Sequence, residues 1–241
     1  LEVVTSRPWR YRRNARIAVS TSLEHGLKLG FRERGSRTVV HCLKCDVLDP
    51  SLSDLLPHLT DLIQGLDFKN CISEVELLST GDNVTVTLFI EPKFGASDRI
   101  KLSDFSNSHK VSVYRKSGKT IESLGILNTE HGYYINNLYF EVSPGSFLQT
   151  NHEINSALAS YVLEVLRPSK KEIIADLFCG MGNFSLPLAQ LAGSVLGVES
   201  DKELLIQARA NADLNAIQNC EFLRGDLFKC SDFLLARLTG C

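Results

Sequence analysis

Short stretches of alternating apolar and polar residues dominate the first half of the chain, and a period of two residues is typical of half-buried strands. The alternation over Ala15–Cys42 predicts an antiparallel meander. Two later stretches flank the turn-forming Gly81-Asp82-Asn83 and predict a hairpin. The strands predicted after the meander are Ile72–Leu78, Val84–Ile90, Val111–Tyr114 and Tyr133–Val142.

One helix is predicted among these strands. Leucine and isoleucine recur every three or four residues between Leu52 and Leu66, which is the spacing of one helical face. Ser51 or Ser53 is available to cap its start, and Pro57 is expected to bend it. Strands in runs with a single helix among them predict an α+β domain built on an antiparallel sheet.

Helices and strands alternate beyond Pro144, which is typical of an α/β domain with a parallel, Rossmann-like sheet. We therefore place a domain boundary between residues 1–142 and residues 143–241. The elements predicted in the second domain are a helix at 154–165, a strand at 172–176, a helix from Asn183, a strand at 195–199, a helix from Asp201 and a strand at 222–224.

Composition places the chain among ordinary soluble proteins. The 241 residues are 44% hydrophobic and 22% charged, which excludes a disordered tail or a coiled coil. No apolar run reaches the roughly 18 residues of a membrane helix. The basic N-terminal segment is not followed by the apolar stretch of a signal peptide, so we expect a cytoplasmic protein without a membrane partner. Seven irregularly spaced cysteines do not match a disulfide framework, and reduced thiols are expected.

Charge is distributed unevenly along the chain. Residues 1–45 carry ten Lys and Arg against three Asp and Glu, a balance of +7, whereas the remainder carries −9. A basic region of this kind is suited to a polyanion, and nucleic acid is the leading partner. A solvated face of a sheet is the alternative. The residues expected to contact RNA phosphates are Arg10, Arg12, Arg13 and Arg16.

A glycine-rich turn follows the first predicted strand of the second domain. Gly180 and Gly182 lack side chains, so the backbone can approach a ligand there, and Asp176 places a carboxylate at the end of the strand. A dinucleotide-binding fingerprint has a third glycine where this chain has Ser185. The turn therefore favours a ligand with a cationic amino acid part.

Two more acids follow at the ends of the next two strands. Glu199 comes 23 residues after Asp176 and is placed to accept hydrogen bonds from ribose hydroxyls. Asp226 comes a further 27 residues on and is placed to accept from an adenine amino group. Three acids at three successive strand ends, with a G-x-G turn after the first, predict an S-adenosylmethionine site. There are two alternatives. In one, the glycines serve tight packing and the three acids are ordinary surface residues. In the other, the protein is a nicotinamide oxidoreductase.

Two segments resemble one enzyme family. Residues 176–189 (DLFCGMGNFSLPLA) and 143–151 (SPGSFLQTN) closely resemble the uracil-5 RNA methyltransferases. Residues 11–16 and 30–33 are most similar to the members that make 5-methyluridine in 23S ribosomal RNA. The resemblance extends from Trp9 to Asp226 and implies that residues 143–241 form the N-terminal half of a class I methyltransferase domain.

The resemblance implies methylation of carbon 5 of a uridine in RNA, with 23S ribosomal RNA as the expected substrate and S-adenosylmethionine as the methyl donor. A transfer RNA uracil-5 methyltransferase and a non-catalytic RNA-binding module are the alternatives, and we expect a monomer. Gln149 also precedes a predicted helix, which could hold its amide against the cofactor, and a local capping role is the alternative. The cofactor contacts that the resemblance implies are Gln149, Phe178, Asn183, Glu199 and Asp226.

The catalytic residues of the family have no counterpart in this sequence. Members use a cysteine nucleophile in a Ser-Cys-Asn-Pro type segment, and a glutamate base beyond it, and none of the seven cysteines here lies in such a segment. The thiolate is needed because its addition to carbon 6 of uracil makes carbon 5 nucleophilic. We therefore expect a chain truncated at both ends, inactive alone, and prone to aggregation near residues 222–241.

Cys42-Leu43-Lys44-Cys45 has the spacing of a metal knuckle, but a zinc site needs a second ligand pair that the sequence lacks. In the related ribosomal RNA enzymes a 4Fe-4S cluster takes three cysteines from an earlier segment and a fourth from the position of Cys45. The resemblance therefore implies an iron–sulfur ligand at Cys45 in the full-length protein. A buried thiol between the meander and the leucine-rich helix is the alternative.

Overall fold

The computed structural model describes residues 3–22, 26–81, 83–91, 94–125, 131–229 and 236–239. The chain divides into two compact units. The first comprises Leu1–His131 and Pro144–Glu153, and the second comprises Gly132–Ser143 and Ile154–Cys241. The chain therefore changes unit more than once, and the single boundary after residue 142 stays a prediction.

A seven-stranded sheet forms the centre of the first unit. Its strands are β1 (Asn14–Ser22), β2 (Gly26–Arg32), β3 (Val39–His41), β4 (Glu74–Ser79), β5 (Val84–Phe89), β6 (Val111–Ser117) and β7 (Thr120–Gly125). They lie in the order β3-β2-β1-β4-β5-β6-β7. The predicted meander is β1 to β3 and the predicted hairpin is β4 with β5, although Asp82 of its turn lies outside the described residues.

The single helix predicted between residues 52 and 66 is two helices, α1 (Pro50–Ser53) and α2 (Leu56–Gly65). Pro57 has no N–H to donate to the carbonyl of Ser53 and its ring clashes with that carbonyl, so the helix breaks and restarts with Pro57 in its first turn. The predicted cap was wrong, because the carboxylate of Asp49 accepts the N–H of Ser51 at 3.0 Å. Leu59 and Ile63 of α2 share one apolar core with Ile17 and Leu29 of the sheet.

One strand pair departs from the antiparallel expectation. β5 and β6 are parallel, while every other neighbouring pair of this sheet is antiparallel. A parallel pair needs a crossover connection, and a helix that was not predicted from the sequence, α3 (Ala96–His109), supplies it. The helix was missed because its buried apolar residues, Leu102 and Phe105, are too few to form a continuous apolar stripe.

The second unit begins with a short hairpin, β8 (Gly132–Ile135) with β9 (Leu138–Glu141), where one strand was predicted. Asn136 and Asn137 form its turn with φ of 48° and 66°, the left-handed conformation that tight hairpins require and asparagine tolerates. Helix α4 (His152–Leu166) belongs to this unit from Ile154 onward.

A three-stranded parallel sheet with two helices completes the second unit, as the sequence predicts. Its elements are β10 (Ile173–Leu177), α5 (Ser185–Leu191), β11 (Ser194–Glu199), α6 (Lys202–Leu214) and β12 (Cys220–Arg224). The strands lie in the order β10-β11-β12, so their carboxyl ends meet at one edge. In the part of the chain that the structure describes, no helix is long and apolar enough to cross a membrane.

Candidate functional site

The carboxyl ends of β10, β11 and β12 are joined by backbone hydrogen bonds beyond the strands themselves. The N–H of Cys179 donates to the carbonyl of Val198 at 3.0 Å, and the N–H of Gly225 donates to the carbonyl of Glu199 at 3.0 Å. The strand ends at Asp176 and Glu199 and the loop at Asp226 therefore meet at one edge of the sheet. This edge is hereafter called the strand-end site.

The glycine turn of this site contains three residues with positive φ: Phe178 at 64°, Gly180 at 56° and Gly182 at 91°. A Cβ on Gly182 would lie 3.2 Å from Cγ of Leu186, so this glycine serves close packing. A Cβ on Gly180 would have no heavy atom within 4 Å, so the backbone here faces open space. The packing alternative therefore accounts for Gly182, whereas Gly180 leaves room for a ligand.

The carboxylate of Glu199 is largely buried and highly organised. Its Oε1 accepts from the N–H of Ser200 at 2.7 Å, from the Ser200 hydroxyl at 3.1 Å and from the N–H of Asp201 at 2.9 Å. Its Oε2 accepts from the N–H of Gly180 at 3.2 Å. Oε1 accepts three hydrogen bonds and Oε2 only one, so Oε2 retains an acceptor position, which fits a ribose hydroxyl.

The other two acids are held less completely. Oδ2 of Asp176 accepts from the hydroxyl of Ser185 at 2.6 Å, and burial raises the pKa of Asp176 while the Ser185 hydrogen bonds lower it in part. Oδ1 of Asp226 accepts from the N–H of Phe228 at 3.0 Å, and its side chain is about half exposed, with Oδ2 3.8 Å from Nζ of Lys229. Each carboxylate therefore keeps acceptor capacity for a ligand.

Two exposed aromatic rings lie at the strand-end site. Phe178 is 58% exposed and Phe228 is 89% exposed, and their ring centroids are 5.7 Å apart. Such exposure is unusual for phenylalanine and leaves ring faces available for stacking on a planar group. Sequence reasoning missed Phe228, for which the available signal was an aromatic residue two positions after a strand-end acid.

The remaining predicted cofactor residues have different surroundings. Asn183 is hydrogen-bonded to Asn155 and Tyr133 within the second unit. Gln149 belongs to the first unit, where its carbonyl accepts from Nε of Arg13 at 3.1 Å.

Arg13 is buried, although its place in the basic region predicted a contact with RNA phosphate. It is 6% exposed, and besides Gln149 it contacts Nδ1 of His152 through Nη1 at 3.1 Å. Its N–H donates to the carbonyl of Thr150 at 2.9 Å. Arg13 therefore holds the segment around residues 149–152 in place within the first unit.

Arg10 is exposed, and Arg12 and Arg16 line a cavity of about 390 Å³ in the first unit. The guanidinium of Arg16 lies 3.3 Å from Glu76 and 4.9 Å from the ring centroid of Phe89, yet its side chain stays about half exposed. Burial raises the pKa of Glu76, while the hydrogen bond and positive charge of Arg16 lower it in part. Phe31 and Phe147 also line the cavity, and Phe147 is 69% exposed.

The described cysteines are free thiols, while Cys230 and Cys241 lie outside the described residues. Burial raises the pKa of Cys179, and it raises that of Cys220 to about 12, so both thiols stay protonated at neutral pH. Cys45 is partly buried against the core of the first unit together with Cys42, and burial also raises the pKa of Cys42. Among the residues described, no group of three or more His, Cys, Asp or Glu could hold a metal ion, so these two thiols do not make a cluster site by themselves.

Comparison with known proteins adds to this geometry. A model of the family described as tRNA (Uracil-5-)-methyltransferase matches residues 1–231. The chain is 38% identical over 228 residues to the 23S rRNA (uracil(1939)-C(5))-methyltransferase RlmD of Cronobacter sakazakii, covering 94% of this chain and 52% of that protein. It is 33% identical to the RlmD of Vesicomyosocius okutanii, covering 92% and 51%. The chain thus spans about half the length of these relatives.

A solved structure supports the fold. The tRNA (uracil-54, C5)-methyltransferase of Pyrococcus abyssi, in complex with S-adenosyl-L-homocysteine, matches with a TM-score of 0.68 and 18% identity. The match covers 94% of this chain and 58% of that one.

Proposed function

Because the chain belongs to the tRNA (uracil-5-)-methyltransferase family, we propose that its second unit binds S-adenosylmethionine and that the whole protein methylates carbon 5 of a uridine in RNA. The two curated relatives are 23S ribosomal RNA enzymes, which favours ribosomal RNA over transfer RNA as the substrate. The cofactor supplies an electrophilic methyl group when bound.

The strand-end site is the observation that carries the proposal. Oε2 of Glu199 has a free acceptor position for a ribose hydroxyl, and the half-exposed Asp226 can accept from the adenine amino group. Asp176 supplies negative charge for the ammonium of the amino acid part. The open space over Gly180 and the exposed ring of Phe178 leave room for the body of the ligand.

We propose the cavity of the first unit as an RNA contact. Arg12 and Arg16 supply positive charge for phosphates, and the exposed ring of Phe147 offers a face on which an unpaired base can stack. Arg10 extends the basic surface, whereas the buried Arg13 is excluded from it.

Photocrosslinking with labelled S-adenosylmethionine tests the cofactor proposal. The protein should become labelled, and excess S-adenosylhomocysteine should compete while NADH should not. Glu199→Gln should weaken binding by about 1–3 kcal/mol. The substitution replaces one carboxylate oxygen, which accepts hydrogen bonds, by an amide nitrogen that would face N–H and O–H donors. Labelling that NADH suppresses, or no labelling at all, would contradict the proposal and favour an oxidoreductase or a pure RNA-binding module respectively.

The salt dependence of RNA affinity tests the RNA proposal. Changing Arg10, Arg12 and Arg16 together to Ala should flatten the dependence by roughly 0.7 in logarithmic slope for each single-strand phosphate that the protein no longer neutralises. A matched variant that removes three exposed lysines elsewhere, Lys119, Lys171 and Lys202, should leave the slope unchanged. Equal slopes in the two variants would show that the arginines are ordinary solvated surface.

We further propose that Cys179 and Cys220 are not nucleophiles, because both thiols are protonated at neutral pH. Because none of the seven cysteines lies in a Ser-Cys-Asn-Pro type segment, the 241-residue chain alone is expected not to transfer tritiated methyl groups to unmodified ribosomal RNA. Transfer that Cys179→Ser abolishes would contradict this. The iron–sulfur ligand at Cys45 stays a prediction from the family resemblance.

A further inference from the structure

The amide of Asn183, in the loop between the glycine turn and α5, is held by two other residues of the second unit. Nδ2 of Asn155 on α4 donates to Oδ1 of Asn183 at 2.9 Å, and Nδ2 of Asn183 donates to Oδ1 of Asn155 at 3.0 Å. The hydroxyl of Tyr133 on β8 donates to the same Oδ1 of Asn183 at 3.3 Å. Asn155 is 3% exposed, so the reciprocal pair lies at the edge of the protein interior.

This arrangement restricts what Asn183 can offer a ligand. Its Oδ1 already accepts two hydrogen bonds, which is its capacity. Its Nδ2 donates once to Asn155 and retains one N–H. Rotating the amide of Asn183 alone by half a turn would place donor against donor and acceptor against acceptor at Asn155. Rotating both amides together would remove the acceptor to which the hydroxyl of Tyr133 donates. The amide of Asn183 is therefore locked as a donor.

We propose that Asn155 and Tyr133 are positioning residues that fix Asn183 as a hydrogen-bond donor to the carboxylate of the amino acid part of S-adenosylmethionine. The inference rests on the proposed function and names a role within that site. The acids of the strand-end site are acceptors and match the hydroxyl, amino and ammonium groups of this ligand. The carboxylate is the group that needs a donor, and the free N–H of Asn183 supplies one.

Two ligands separate positioning from general stability. S-adenosylhomocysteine carries the amino acid carboxylate, whereas 5′-methylthioadenosine lacks the whole amino acid part. Calorimetric titration of Asn155→Ala should show about tenfold weaker binding of S-adenosylhomocysteine, the effect of about one buried hydrogen bond, and unchanged binding of 5′-methylthioadenosine. Tyr133→Phe removes only the hydroxyl and should give a smaller loss of the same kind, which decides the matter if Asn155→Ala does not fold.

Asn219→Ala is the matched control. The amide of Asn219 donates to the carbonyls of Ala189 and Ala192 at 2.9 and 3.2 Å, at the end of α5 remote from Asn183. This variant should lower stability and leave the ratio of the two affinities as in the wild type. If Asn155→Ala and Tyr133→Phe weakened the binding of both ligands equally, or of neither, the inference would be overturned. The proposed function would not be affected by that result. Wild-type protein that bound neither ligand would overturn the proposed function as well.

Discussion

Buried polar groups of the first unit differ from those of the strand-end site in their access to a ligand. In the first unit Asp98 is fully buried and accepts from the N–H groups of Asp67 and Phe68 at 3.0 and 3.4 Å. The buried guanidinium of Arg13 contacts the carbonyl of Gln149 and the imidazole of His152. In the second unit Glu199 is also largely buried, but one acceptor position of its Oε2 is open. Asn183 likewise keeps one N–H.

This difference separates groups that stabilise from groups that bind. A buried charge whose partners are all internal contributes to the fold, because removing it leaves those partners unsatisfied. A group that is oriented by the protein yet keeps one unused position is preorganised for a ligand. Charge alone does not distinguish the two cases, whereas an unused hydrogen-bond position beside open space, as at Glu199 and Gly180, does.

The largest expected effect is on the stability of the first unit. Arg13→Ala should lower the free energy of unfolding by about 3 kcal/mol, because the carbonyl of Gln149 and the imidazole of His152 lose a charged donor. Urea unfolding measures this. Arg10→Ala, at an exposed position two residues from Arg12, is the control and should leave stability nearly unchanged. Equal stability of the two variants would remove the distinction between structural and surface arginines.

Sequence reasoning located the strand-end acids because their position depends on backbone topology. A residue at the carboxyl end of a parallel strand must lie at the shared edge, so Asp176, Glu199 and Asp226 could be brought together from the sequence alone. The burial of Arg13 could not be predicted, since its partners Gln149 and His152 lie 136 and 139 residues away in sequence. The roles of Asn155 and Phe228 depend on side-chain contacts that the sequence pattern does not show.

The fold shows the same limit. The strands in which apolar and polar residues alternate clearly were predicted, and so was the succession of helices and strands in the second half of the chain. Both depend on periodicity among residues that are close in sequence. Helix α3 was missed because its apolar residues form no stripe, and with it the parallel pair of β5 and β6. The break before α2 follows from Pro57, whose effect was expected as a bend.

The two glycines of the glycine turn are expected to respond differently to a side chain. Gly182→Ala should destabilise the protein by about 2 kcal/mol, because a positive φ and the contact with Leu186 both oppose a side chain. Gly180→Ala should cost about 1 kcal/mol of stability but should abolish most binding of S-adenosylhomocysteine, because its Cβ projects into the open space. Thermal unfolding and calorimetry on both variants test this, and a Gly180→Ala protein with wild-type affinity would contradict it.

The smallest expected effect concerns pH. Because burial raises the pKa of Asp176 in the folded state, the folded protein holds this proton more tightly than the unfolded chain does. Stability from this group is therefore greatest below its ordinary pKa and is lost as pH rises through the raised value. Asp176→Asn should be more stable than the wild type at pH 7, lose that advantage at low pH, and bind cofactor more weakly.

Denaturant unfolding of the two proteins across this pH range measures the effect of Asp176. A difference in stability that does not change with pH would show that the carboxylate is not the titrating group. Unchanged cofactor affinity in Asp176→Asn would remove this acid from the ligand site.

The most direct test of the strand-end site as the cofactor site is amide hydrogen exchange with and without S-adenosylhomocysteine. We expect protection in residues 178–183, 199–201 and 225–228 of the second unit, where the strand ends meet, with the exchange of β1 to β7 unchanged. Protection confined to the sheet of the first unit, or none at a ligand concentration that saturates binding, would contradict this assignment.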